Sequence, residues 1–286
     1  MSSQLHPPME ILPETRSRLV SQVRRLCGIF LGPDKDYLIQ HRVVPIARKA
    51  RCQSLEEYCD RLDAPTGVAI RGALIEAVTT HETSFFRDGH PWETIKNRIL
   101  HPMLSRPGRQ GKIRILSAAC ATGQEAWSLA MAATEACEGL GRQVADEVAI
   151  LATDISEKIL TACRRGIYTN TEIKRGIDPL RQSRFFSEVH GGWEVQPRLR
   201  ALVRWQRVNL LDSLTGLGKF DLILCRNLLI YFDEETRRHL IENLAERLDP
   251  DGYFLVGAAE SLFGLTRSLT QVALGQTLVY QLALPA

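Results

Sequence analysis

Arg87, Glu125, Asp154 and Asn227 are the residues whose types and settings could do chemistry in this 286-residue chain. Glu125 ends Ile113-Arg-Ile-Leu-Ser-Ala-Ala-Cys-Ala-Thr-Gly-Gln-Glu125, which predicts a buried strand, a turn of small residues (Ala119, Ala121, Gly123) and the start of a helix. Small residues at alternate positions let a ligand approach the backbone, as the glycines of a dinucleotide loop do. Ala-x-Ala-x-Gly is not GxGxxG, which argues against a standard NAD or FAD site and fits a looser nucleoside pocket. A tight strand–helix joint with no ligand has the same pattern. Asp154 closes the second strand-like run, where a carboxylate can accept ribose hydroxyls. It lies 154 − 123 = 31 residues after Gly123, more than the usual ~20, and the helix and loop between Gln124 and Asp146 account for the excess. Its alternative role is N-cap of a helix from Ser156. Asn227 follows the apolar strand Phe220–Cys225, at the carboxyl edge where open α/β sheets bind ligands. Tyr231 comes four residues later, either as packing or with its hydroxyl at the rim. Arg87 lies in a dense polar and aromatic segment, Thr79-Thr-His-Glu-Thr-Ser-Phe-Phe-Arg-Asp88, at a junction between two compositional regions. Junctions favour ligand sites, although a linker plugged by its phenylalanines is the plainer reading.

These residues need a scaffold, and the chain supplies two kinds. Residues 1–13 are a loose lead-in. From Glu14 the periodicity is helical: Leu19, Val23 and Leu26 in one segment, Tyr37–Arg51 as a second, Leu55–Leu62 behind a Ser54 N-cap, then Val68–Val78. After about residue 110, strands and helices alternate: strand Ile113–Ala118, helix Glu125–Cys137, strand Glu147–Thr153, helix Ser156–Arg164. Strand Phe220–Cys225, helix Glu234–Leu248 and strands Tyr253–Gly257 and Leu278–Leu282 follow. Such alternation implies βαβ units and a mostly parallel sheet. Residues 166–208 break the rhythm with a helix over Thr171–Phe186, a Gly191-Gly192 turn and β-like stretches at Trp193–Val195 and Ala201–Trp205, and are expected to be an insertion.

Composition narrows the function classes. An apolar fraction of 44% and a charged fraction of 24% are ordinary for a soluble globular protein. No apolar run approaches the ~20 residues of a membrane span, and the opening residues do not resemble a secretory signal. Seven cysteines without a CxxC pair argue against a disulfide framework or a structural zinc, and for reduced thiols in a cytosol. A net charge of +3 is too small to suggest nucleic acid.

Taken together, the strings Thr79–Arg87, Ala118–Glu125, Thr153–Ile155, Val208–Leu210 and Cys225–Phe232 resemble the chemoreceptor glutamate methyltransferases of bacterial chemotaxis, the CheR family, over nearly the whole chain. The resemblance implies an α/β, Rossmann-like S-adenosyl-L-methionine (SAM)-dependent methyltransferase domain with a small inserted antiparallel β-subdomain, preceded by a small all-helical N-terminal domain. The expected division is helical domain 10–80, linker 81–92 and methyltransferase domain 93–286, with the insertion at about 166–208. The family's SAM contacts fall on His81, Thr83, Arg87, Glu125, Asp154, Asn209, Leu210, Asn227 and Leu228. The family often has Asn where this chain has His81. Its Gly-Glu-Glu-Pro-Tyr-Ser string is here Gly123-Gln-Glu-Ala-Trp-Ser128.

The implied reaction is methyl transfer from SAM to a glutamate carboxylate, giving a methyl ester and S-adenosyl-L-homocysteine. A glutamate is already ionised at neutral pH, so its oxygen needs no general base. Positioning then carries the catalysis: Arg87 is the candidate to orient the carboxylate, Tyr231 to shape the methyl pocket, Glu125 to meet the SAM ammonium and Asp154 to meet the ribose. No metal is expected. At 100° per residue, Ile39, Val43, Ile46, Ala47 and Ala50 share one helical face, opposite His41, Arg42, Arg48 and Lys49, with Arg51 at the flank; Pro45 is expected to kink or start the helix. Those cations are an ordinary solvated face or, given the resemblance, a surface steering Glu-rich receptor helices, with the β-subdomain as a second docking surface. The expected protein is a cytoplasmic monomer, recruited to receptor arrays. The competing readings are a SAM methyltransferase with another substrate and a silent SAM-binding module.

Overall fold

The computed structural model describes residues 9–283; the first eight residues of the expected lead-in and the last three of the expected second domain lie outside the described residues. The chain divides into two compact units, one running to Thr80 and including Tyr231–Asp233, the other His81–Ile230 with Glu234 onward. Among the described residues no helix is long and apolar enough to cross a membrane.

The first unit is helical. Its Pro13–Cys27 helix starts on a proline, which has no N–H to satisfy, and ends at Gly28 in the left-handed conformation (φ 76°). Leu19 and Val23 are fully buried on its inner face. Ser54 caps Leu55–Asp63 as expected, its hydroxyl accepting the Glu57 amide at 3.1 Å. The helix expected over Tyr37–Arg51 is a continuous helical run from Asp36 to Lys49, with a π turn, Ile39–Val43, between the α segments Asp36–Leu38 and Val44–Lys49. Pro45 is the physical reason: it cannot donate to the preceding turn and its ring crowds that carbonyl, so the turn before it widens. The extra residue brings Val44 into the core beside Ile39, Val43 and Ala47, while Ile46 and Ala50 are only half-buried. His41, Arg48, Lys49 and Arg51 are exposed. Arg42 is not: its Nη1 donates to the carbonyls of Val78 and Thr79, at the end of the Val68–Val78 helix where a cation is favoured.

The second unit is built on a sheet of seven strands. In chain order the strands are β1 Ile113–Ala118, β2 Val148–Asp154, β3 Ile167–Tyr168, β4 Phe186–Val189, β5 Gly192–Val195, β6 Val203–Arg207, β7 Phe220–Leu224, β8 Leu248–Leu255, β9 Leu269–Leu274 and β10 Thr277–Leu282. The large sheet has the order β6-β2-β1-β7-β8-β10-β9. β6, β2, β1, β7 and β8 are parallel; β10 and β9 close the edge antiparallel. Ile115 stands opposite Ile150 on one side and Leu222 on the other. All three are buried, as strands covered on both faces require. From β1 the chain builds outward to β2 and β6, then returns to place β7 on the other flank. β1 and β7 therefore flank the topological switch point, where such sheets bind ligands.

Two expectations about the insertion are corrected. Thr171–Phe186 is not one helix but two, Asn170–Lys174 and Pro179–Phe185. Between them the chain presses against Phe85, and a Cβ at Gly176 would sit 1.9 Å from the Phe85 carbonyl oxygen; Pro179 then restarts the helix behind an Asp178 cap. The β-like stretch at Ala201–Trp205 becomes β6, which pairs parallel with β2 (Val203 opposite Ile150) and is the outer strand of the large sheet. Only β3, β5 and β4 form the separate small sheet. An alternating edge strand reads the same in either sheet, so sequence periodicity had no means to assign it. β9 was not expected; its Leu-Thr-Gln-Val-Ala-Leu has no strict alternation, with Leu269 buried, Val272 and Leu274 half-buried and Thr270, Gln271 and Ala273 exposed.

Candidate active site

The turn after β1 is more strained than its glycine alone suggested. Ala119 (φ 57°), Ala121 (φ 48°) and Gly123 (φ 93°) all have positive φ. For the alanines this costs about 1–2 kcal/mol each, so neighbours must hold the turn. Asp154 Oδ2 accepts the Ala121 amide at 3.0 Å, and the Cys120 amide donates to the Thr153 carbonyl at 2.8 Å. From the other side, the Tyr168 hydroxyl donates to the Thr122 carbonyl at 2.8 Å and Cys163 Sγ to the Ala121 carbonyl at 3.2 Å.

Asp154 does not cap the following helix. Ser156 is the cap, its hydroxyl accepting the Ile159 amide, while Asp154 Oδ1 accepts the Ser156 amide at 3.0 Å. With one bond on each oxygen, the carboxylate keeps lone pairs for further donors. His81 approaches it, with Nε2 3.8 Å from Asp154 Oδ1. That nitrogen is buried and has no hydrogen-bond partner among the described residues, an orphaned polar atom beside a carboxylate. The Asp154 carbonyl accepts the Val208 amide at 3.0 Å, which brings Asn209 and Leu210 past the end of β2. Asn209 Oδ1 accepts the Leu211 amide, and Leu210 is buried.

Glu125 begins the Gln124–Glu138 helix, almost all of which is buried. Its Oε1 accepts Ser117 Oγ at 2.8 Å and its Oε2 accepts Arg226 Nη1 at 3.2 Å. Burial pushes the Glu125 carboxyl above its ordinary range, against the opposing pull of the Arg226 charge. Arg226, with its side chain 2% exposed, reaches on through Nη2 to Asp88 Oδ2 at 2.8 Å and to the Arg87 carbonyl at 3.0 Å. The Arg87 carbonyl also accepts Trp92 Nε1 at 2.9 Å. Three segments, the turn at Arg87–Asp88, the helix start at Glu125 and the end of β7, thus meet on one guanidinium. Among the described residues the Arg87 side chain has a single long bond, 3.4 Å to the Glu82 carbonyl, and it is half-buried. Thr83 lies on the same segment and is half-buried.

Asn227 emerges from β7 in the left-handed conformation (φ 57°), with Leu228 half-buried beside it. The second unit therefore brings Glu125, Asp154 and Asn227 to the carboxyl edge of β1, β2 and β7, with His81 beside Asp154 and the Arg87 backbone tied to Arg226. Tyr231 is not among them: it belongs to the first unit, where its carbonyl accepts the Phe30 amide at 2.9 Å. Sequence reasoning did not single out Ser117, Asp88, Arg226 or Glu260. Arg226 did carry a signal, a cation directly after a wholly apolar strand. Glu260 carried none.

Comparison with known proteins settles the family. Residues 81–277 match the CheR methyltransferase SAM-binding domain, and residues 15–79 match the CheR methyltransferase all-alpha domain. The chain belongs to the CheR methyltransferase family. It is 38% identical to chemotaxis protein methyltransferase 1 of Pseudomonas aeruginosa over 260 residues, covering 91% of this chain and 94% of that one. It is 36% identical to the methyltransferase Cher2 of Pseudomonas putida over 261 residues, covering 91% and 94%. A solved N-methyltransferase, NodS of Bradyrhizobium japonicum with S-adenosyl-L-homocysteine, is 19% identical with a TM-score of 0.36, covering 68% of this chain and 87% of that one. The fold assignment rests on the sheet order rather than on that likeness. Membership brings with it SAM-dependent methylation in chemotaxis and a SAM-binding domain. The residues present fit SAM: a turn of small residues at the carboxyl edge of β1, the Glu125 carboxylate for an ammonium group, and a second carboxylate beside an orphaned imidazole nitrogen.

Proposed function

We propose that this CheR protein is a protein-glutamate O-methyltransferase that esterifies glutamate side chains on the cytoplasmic helices of chemoreceptors. The observation that carries the reading is the cluster at the switch point, Glu125 with Arg226 and Asp88 on one side and Asp154 with His81 on the other, across the Ala119–Gly123 turn. His81, Thr83, Arg87, Glu125, Asp154, Asn209, Leu210, Asn227 and Leu228 hold SAM, with Glu125 and its partners facing the ammonium group and Asp154 the ribose. Bound SAM supplies a methyl group on a cationic sulfur, and its loss to a carboxylate leaves S-adenosyl-L-homocysteine and a methyl ester. The acceptor glutamate is ionised at neutral pH, so no residue has to remove a proton. Arg87, whose guanidinium has only the one long bond to protein among the described residues, orients the acceptor carboxylate. The exposed cations Arg48, Lys49 and Arg51 steer Glu-rich receptor helices, Arg42 being held by backbone carbonyls, and the small β-sheet is a second docking surface. The reading places a monomer in the cytoplasm, recruited to receptor arrays.

The test is transfer of labelled methyl groups from SAM to receptor cytoplasmic fragments, followed by mild base. Label released as methanol and mapped to glutamates supports the reading. Base-stable label, or none on any receptor fragment despite SAM binding, overturns it.

A further inference from the structure

The loop that presents Asn227 does not hold itself. Glu260 lies beyond β8, the strand that neighbours β7, and its carboxylate reaches back across the sheet edge. Oε2 accepts the Asn227 amide at 2.6 Å and the Gly257 amide at 2.8 Å, and Oε1 accepts the Leu229 amide at 2.8 Å. The Glu260 amide in turn donates to the Gly257 carbonyl at 2.9 Å, closing the turn that carries it. One side chain thus satisfies three backbone donors on two loops. Two of them bracket Leu228, and the first belongs to a residue with φ 57°. Asn is among the non-glycine residues that adopt this conformation most readily, and the Glu260 bond to its amide fixes it there. Space enforces the same arrangement: a Cβ at Gly257 would lie 2.7 Å from Asn227 Nδ2 and 2.8 Å from Glu260 Oε2. The Asn227 side chain therefore packs over a bare backbone at the point where Glu260 binds.

We propose that Glu260 is a positioning residue for the cofactor site: by binding the amides of Asn227, Leu229 and Gly257 it holds Asn227 and Leu228 in the conformation that receives SAM. This rests on the assignment of Asn227 to the SAM site. It predicts that Glu260 acts through the loop and touches neither SAM nor the acceptor. Glutamine in its place has the same shape but one acceptor oxygen, and its amide group would confront a backbone N–H.

The test uses the full chain and three variants, Glu260→Gln, Asn227→Ala and the double variant, each checked for wild-type tryptophan fluorescence. Hydrogen exchange without ligand reads the loop directly. The Asn227 and Leu229 amides are expected to be protected in the wild type and to exchange at least tenfold faster in Glu260→Gln. Calorimetry with S-adenosyl-L-homocysteine is expected to show at least tenfold weaker binding for Glu260→Gln and for Asn227→Ala. The double variant is expected to be less than threefold worse than Asn227→Ala, because the carboxylate acts by placing that residue. Methylation kinetics are expected to show the loss in KM for SAM more than in kcat. Unchanged protection, binding within twofold of wild type for Glu260→Gln, or fully additive losses would overturn the proposal while leaving the SAM site intact. Normal binding by Asn227→Ala would overturn it together with the site assignment. If Glu260→Gln fails to fold, Glu260→Asp takes its place, with the same exchange and binding results expected and the same results overturning the proposal.

Discussion

Replacing Arg226 with methionine tests the buried cluster most directly. Among the described residues the guanidinium is the only cation bonded to the buried Glu125 carboxylate; its other partners are less dependent on it, because Asp88 is exposed and the Arg87 carbonyl keeps Trp92 Nε1. Removing one member of a buried ion pair costs about 3–5 kcal/mol, because the remaining charge is left uncompensated. Methionine keeps much of the volume, so the cavity contribution stays small. The loss has a pH signature. Glu125 is already shifted upward by burial, and Arg226 is the first influence opposing the shift; without it the folded-state pKa rises further. A carboxyl whose folded pKa exceeds its unfolded value of ~4.3 holds its proton more tightly when folded, so stability falls as pH rises toward the folded pKa, by about 1.4 kcal/mol per unit. The deficit of the variant against wild type is therefore largest at pH 8 and shrinks toward pH 5.5. Urea unfolding followed by tryptophan fluorescence measures it in the right place, since Trp92, Trp127, Trp193 and Trp205 all lie in the second unit. In a Glu125→Gln background the same substitution is expected to cost at least about 2 kcal/mol less, the coupling of a contacting charged pair. A deficit under about 1 kcal/mol at pH 8, or one that does not change between pH 5.5 and 8, would refute the reasoning.

Arg87→Ala is expected to lower kcat about 10²–10³-fold with unchanged tryptophan fluorescence, the usual loss for one electrostatic donor at a reacting centre; methylation kinetics check it. Gly123→Ala places a Cβ at φ 93°, 3.0 Å from the Tyr168 hydroxyl and 3.1 Å from Cys163 Sγ, and is expected to weaken S-adenosyl-L-homocysteine binding at least tenfold by calorimetry. All seven cysteines are buried, and burial raises the thiols of Cys27, Cys59 and Cys137 to about 11. Ellman's reagent at pH 7.5 is therefore expected to react slowly with the native protein and to titrate seven thiols in urea. Reversing the exposed Arg48 and Lys49 to glutamate is expected to slow receptor methylation several-fold at low ionic strength, a difference that closes by about 0.5 M salt.

Local patterns were readable where one interaction decides them. Ser54 before an amphipathic run, the apolar β1 and β7, and the small-residue turn ahead of Glu125 each depend on neighbours a few residues away. The acid and amide at strand ends were legible for the same reason, since position at the carboxyl edge of a parallel sheet already implies a ligand-facing place. The split of Thr171–Phe186 was missed because its cause is remote: Gly176 must clear the backbone of Phe85, ninety-one residues earlier. β6 was assigned to the insertion because alternation fixes a strand's faces and not its partner.

By itself, the sequence determined the class of scaffold, the family and the candidate residues Glu125, Asp154 and Asn227, because hydrophobic periodicity and chain order dictate where strands end. The tertiary structure alone decided how those residues are held. Arg226 lies 101 residues from Glu125 and 138 from Asp88 in the chain, and Glu260 lies 33 from Asn227. A buried carboxylate must be matched by a charge or by amide donors from whatever segment the fold brings within 3 Å. That choice belongs to packing between distant elements: the cation after β7 was visible in the sequence, but not the carboxylates it meets.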